Sequence, residues 1–162
     1  MQKDNEASYI EIMKNSLIKK AAVLEKISEQ NKIQQELTKA EEFDYDTFDK
    51  TLAEKDKLIE EINQLDSGFQ SLFDRIKEIM ESNKEAYADD IKEMQRLVAV
   101  ITDKSANVMA EEKRNREAIM NRKDSLKKEV GMARATNKVA ANYYKTMSKL
   151  NVLDSQFIDA KK

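Results

Sequence analysis

Apolar residues recur along this chain at steps of three and four, the period that lines one face of an α-helix. The first series is Ile10, Met13, Leu17, Ala21, Leu24 and Ile27, and Ser8 with Glu11 has the spacing of a capping box at its start. The series turns polar at Asn31 and Gln34, with Ile33 and Leu37 off the seam. Looser packing is expected there, and the helix is expected to end near residues 38–42. The next stretch, Phe43 to Asp49, mixes short polar side chains suited to an N-cap with aromatics that can staple a turn. From Phe48 the seam runs Phe48, Leu52, Lys55, Ile59, Ile62, Asp66, Phe69, Phe73, Ile76 and Met80, apolar at all but Lys55 and Asp66. Leu58, Leu65, Leu72 and Ile79 add a second row, which widens the stripe to that of a helix touching two neighbours. Gly68 costs about 1 kcal/mol relative to Ala inside a helix. Burial of Phe69, Leu72 and Phe73 returns roughly 1.5–3 kcal/mol each, so one unbroken helix to Ser82 is expected.

Ser82 and Glu85 again have capping-box spacing, and Asn83, Asp89 and Asp90 suit a turn, so the chain is predicted to reverse near residue 85. A third helix follows on Ile91, Met94, Val98, Ile101 and Val108, interrupted at Ser105. Folding back at residue 85 brings position 48 near 122 and sets the acidic stretch 41–61 against 109–129. The first holds nine acids and three lysines; the second holds seven basic residues and five acids. Exposed pairs contribute only ~0.2–0.5 kcal/mol each, so they bias register while the apolar seams hold the helices together. Polar Glu112 and Asn115 on the seam predict thinner packing. Ile119, Met120, Leu126, Val130, Met132 and Val139 follow more sparsely, and Gly131 offers a bend. Residues beyond about 124 would overhang the start of the second helix. The last twenty residues carry Tyr143, Tyr144, Met147, Leu150, Val152, Leu153, Phe157 and Ile158 without a clear period. The expected fold is all-α: an elongated antiparallel three-helix coiled-coil-like bundle over residues 1–142, with a long third helix and a mobile C-terminal tail over 143–162.

Composition narrows the chemistry. The 162 residues include no His, Cys or Pro and only two glycines, Gly68 and Gly131. Without His or Cys the usual triads and zinc sites are excluded, and without a glycine-rich loop so is phosphate cradling by backbone N–H groups. No enzyme, cofactor or metal is expected. Asp44, Asp46 and Asp49 superficially suggest a calcium loop, but Phe48 and Asp49 stand where the loop needs a ligand and a glycine, so helix capping is the better reading. The halves differ in charge: residues 1–83 carry 12 Lys+Arg against 19 Asp+Glu, and residues 84–162 carry 17 against 12. The basic stretch from Lys113 to Lys138 is interleaved with Glu117, Asp124 and Glu129 and contains no aromatic, which argues against nucleic acid and for a face matched to acidic helices. The longest aliphatic run, Leu97 to Ile101, falls far short of the roughly 20 residues of a membrane span. No secretory signal is evident at the polar N-terminus, so no membrane insertion and a cytoplasmic location are expected. Met94, Met109, Met120, Met132 and Met147 suit either gap filling or adaptable partner surfaces.

Phe43-Asp44-Tyr45-Asp46-Thr47-Phe48 and the run from Lys55 through Glu60-Glu61-Ile62-Asn63-Gln64-Leu65 to Asp66 resemble flagellar export chaperones of the FlgN and FliT type. Ala140-Ala141-Asn142-Tyr143-Tyr144-Lys145-Thr146-Met147 and Asp154-Ser155-Gln156-Phe157 are similar to their C-termini. The resemblance implies a helical chaperone that binds the helix-forming ends of flagellar hook-associated or filament-cap proteins and passes them to the export apparatus. Under that reading the partner-binding candidates are Ile119, Leu126, Val130, Met132, Tyr143, Tyr144 and Met147. The alternative is a structural coiled coil that forms a homodimer or scaffolds other proteins through its overhang.

Overall fold

The computed structural model describes residues 2–122, which form four α-helices and no strand. These are α1 (Gln2–Lys39), α2 (Tyr45–Ser67), α3 (Phe69–Ser82) and α4 (Ala88–Arg122). Helix α1 packs against each of the other three. Its bonds to α4 climb both helices together, from Lys14–Asp90 at 2.7 Å through Glu25–Lys104 at 2.6 Å to Asn31–Asn115 at 2.9 Å, so α1 and α4 run parallel. Bonds to α2 and α3 run the other way, from Tyr9–Arg75 through Lys20–Asp66 to Gln34–Thr51. The pair α2–α3 is therefore the descending strut between two ascending helices.

The seams set this packing. On α1 the buried line is Ile10, Met13, Leu17, Lys20, Leu24, Ile27, Asn31 and Gln34, with steps of three and four throughout. Position 20 belongs to it in place of Ala21, which is only partly buried. Ser8 does not cap α1: the helix begins at Gln2 and Ser8 lies on an exposed face inside it. On α2 and α3 every apolar seam residue from Phe48 to Met80 is buried, as is Lys55. The largest apolar cluster joins Ile10–Ile27 of α1, Leu58–Met80 of α2 and α3, and Met94–Val108 of α4.

Gly68 does interrupt the helix expected to run on to Ser82. Its backbone sits at φ −100°, ψ 1°, between the two helices, and its carbonyl accepts from Leu72 N–H at 3.2 Å to start α3. Just before it, Ser67 Oγ donates back to the Gln64 carbonyl at 2.8 Å, a local bond that competes with the helical pattern. The break leaves the phase intact, since Ile62, Phe69 and Phe73 are all buried on one face. A side chain at position 68 would meet no atom within 4 Å, and its φ is negative. Gly68→Ala is therefore expected to stabilise the protein by about 0.4–1 kcal/mol, chiefly by restricting the unfolded chain, and to raise the thermal midpoint. A lowered midpoint would show that the interruption itself is needed.

The reversal falls at residues 83–87, as the sequence predicts, but Ser82 closes α3 and does not open α4. Its Oγ donates to the carbonyls of Glu78 and Ile79 at 2.9 and 3.2 Å. Helix α4 opens after Tyr87, whose carbonyl accepts from Ile91 N–H at 2.9 Å.

Candidate functional site

The distinctive chemistry lies toward the end of the bundle where α1 stops, α2 starts and α4 reaches Arg122. Asp44 caps α2: one carboxylate oxygen accepts from Thr47 N–H at 3.1 Å and the other from the Thr47 hydroxyl at 2.6 Å. These bonds hold the Asp44 carboxyl below its ordinary range, the hydroxyl contributing most. Phe43 meets Tyr45 edge-on at 5.1 Å and Phe48 at 5.3 Å, stapling the turn. Arg122 closes the end from the other side. Its guanidinium donates to the carbonyls of Thr38, Ala40 and Glu41 and lies 5.4 Å from the centre of the Phe43 ring. A cation on these last carbonyls complements the negative end of the α1 dipole.

Ile119 completes this apolar end with Phe43, Phe48 and Leu52, and only 6% of it is exposed. Expected on an overhang as a partner contact, it instead packs inside the described bundle, because α1 and the start of α2 both reach its level. The other candidates, Leu126, Val130, Met132, Tyr143, Tyr144 and Met147, lie outside the described residues. Met120 is 42% exposed at the same end.

One step inward, the seams turn polar on all three sides. Asn31, Gln34, Thr51, Lys55, Glu112 and Asn115 are each buried. The Lys55 ammonium donates to Glu112 Oε2 and, at 3.2 Å, to Gln34 Oε1. Gln34 Nε2 donates to the Thr51 hydroxyl at 3.0 Å, which donates on to the Phe48 carbonyl at 2.6 Å. Asn115 Nδ2 donates to the Asn31 carbonyl at 2.9 Å and to Gln34 Oε1 at 3.4 Å. Burial lowers the Lys55 ammonium below its ordinary 10.5, while the Glu112 charge and hydrogen bond pull it back up. A second buried ion pair, Lys20–Asp66 at 3.4 Å, sits higher in the bundle, with Lys20 also 5.7 Å from the Phe69 ring centre.

The sequence pattern located these polar seam positions but suggested loose packing, whereas Asn31, Gln34, Glu112 and Asn115 are enclosed. Their signal was positional. A hairpin reversing near residue 85 brings Lys55 to the level of Glu112, so one buried charge finds another. The polarity is the reverse of the general match expected: here the lysine comes from the acidic stretch and the glutamate from the basic one. Lys20 takes the seam place that the apolar pattern assigns to Ala21.

Among the described residues no cluster of acidic side chains could hold a metal ion, and no helix is long and apolar enough to cross a membrane. No known family model matches the chain, and neither does any curated protein or solved structure.

Proposed function

We propose that this protein is a non-enzymatic helical chaperone of the FlgN and FliT type, which binds hook-associated or filament-cap proteins before flagellar export. In this reading α1, the α2–α3 strut and α4 form a three-helix coiled-coil-like bundle, acting in the cytoplasm as the rigid body of the chaperone. The observation that supports the proposal is a closed set of described helices followed in sequence by further apolar residues. Arg122 takes the last carbonyls of α1 and Ile119 fills the turn into α2, so the described bundle is closed at that level. The sequence nevertheless continues with Leu126, Val130, Met132, Tyr143, Tyr144 and Met147. Apolar residues of this kind suit capture of an amphipathic client helix. The resemblance in the aspartate-aromatic turn and the Tyr-Tyr segment supplies the class of client.

The test is calorimetric titration with a purified hook-associated protein. Leu126→Asp and Tyr144→Ala are each expected to weaken binding about tenfold or more, as loss of an interface anchor does, with helicity and melting unchanged. Unaltered affinity in both variants would remove the segment from the binding site. Unfolding by Leu126→Asp would place that residue in the core.

A further inference from the structure

The buried polar residues divide the core in two. Above them lies the large cluster from Ile10 to Val108; below them Phe43, Phe48, Leu52 and Ile119, with Leu37 and Tyr45 against them, form a cluster of their own. The division falls at the same level on α1, α2 and α4. It separates Ile27 from Leu37 on α1, Leu58 from Leu52 on α2, and Val108 from Ile119 on α4.

Proteins open in cooperative units, and a region with few buried apolar contacts opens at a lower free energy than the main core. Here the layer contains a lysine–glutamate pair and four neutral polar side chains, all of which water can solvate once they are exposed. Asn31 adds to this, because its side-chain amide makes no hydrogen bond to another described residue. Opening at this level restores hydration to Asn31 and to the charged pair, while the large cluster above stays closed. Among the described residues, the small end cluster has four buried apolar side chains, Phe43, Phe48, Leu52 and Ile119, to resist the opening.

We infer that the polar layer is a built-in fault line, and that the end of the bundle, residues 35–55 with 112–122, opens as one cooperative unit while the remainder stays folded. Such an opening uncovers Phe43, Phe48, Leu52 and Ile119 together. The inference stands apart from the chaperone reading, since it concerns the bundle alone and holds or fails whatever the client.

Native-state hydrogen exchange on the full chain, read by mass spectrometry, tests it. The backbone-bonded amides of 35–39, 48–55 and 112–122 are expected to share one protection level, at least about tenfold below that of the bonded amides of 58–80 and 94–108, with a step at the polar layer. A smooth gradient toward the helix ends, as in simple fraying, or equal protection throughout would overturn it. Phe48→Ala supplies the second arm. It is expected to lower protection in 35–55 and 112–122 at least about tenfold and leave 58–80 and 94–108 within about twofold of the wild type. Loss of protection across the whole bundle, or global unfolding, would show a single cooperative unit and end the proposal.

Discussion

Lys55→Met is expected to destabilise the protein by about 3–5 kcal/mol, because it leaves the Glu112 carboxylate buried without its cation. The side chains are 0% and 4% exposed, so solvent cannot substitute for the lost partner without opening the bundle. Gln34 would also lose a donor at 3.2 Å. Methionine matches the lysine stem in length and adds no polar group, which isolates the charge as the cause. The same reasoning predicts that Glu112→Leu restores most of the loss when combined with Lys55→Met, since removing both charges removes both desolvation costs. A double-mutant cycle by urea denaturation reads this directly. Additive losses in the double variant would mean that the two side chains do not act as a pair.

Ile62→Asp and Phe73→Asp carry the second large effect. Ile62 is fully enclosed and Phe73 is 5% exposed, both facing the main cluster. An aspartate there has no cation or donor supplied by the original apolar contacts, and it also removes a large apolar side chain. Each is expected to cost about 4 kcal/mol or more, a large part of the roughly 5–15 kcal/mol that holds a domain folded. Loss of cooperative melting or a strongly lowered midpoint is the expected readout. A near-normal melting curve for either variant would place that residue outside the core. The two sites lie on opposite sides of Gly68, so similar losses would also show that the strut acts as one element despite its interrupted backbone.

The helical pattern made most of this architecture legible in advance, because burial on a helix face depends on residue spacing that sequence records directly. The run from Phe48 to Met80 kept its phase, and the reversal near residue 85 followed from interrupted periodicity, although Ser82 does not cap α4. What the pattern could not convey was the fate of polar residues on a buried seam. Asn31, Lys55 and Glu112 look like defects one helix at a time; only their alignment across three helices turns them into an enclosed network. Backbone choices were equally hard to foresee. Gly68 breaks the helix although burial on both sides favours continuity, because a turn that preserves seam phase retains the burial. Ser8 and Ser82 show that capping-box spacing occurs inside helices and at their ends as well as at their starts. Spacing alone also does not show that Ile119 packs with Phe43, Phe48 and Leu52, because that contact depends on the turn between α1 and α2.

Size-exclusion chromatography with light scattering, run on the full chain alone and with a purified hook-associated protein, tests the central claim most directly. The account predicts a monomer at every concentration that shifts to a defined complex when the client is added. An obligate dimer that ignores hook-associated and filament-cap proteins would contradict it and favour a structural coiled coil.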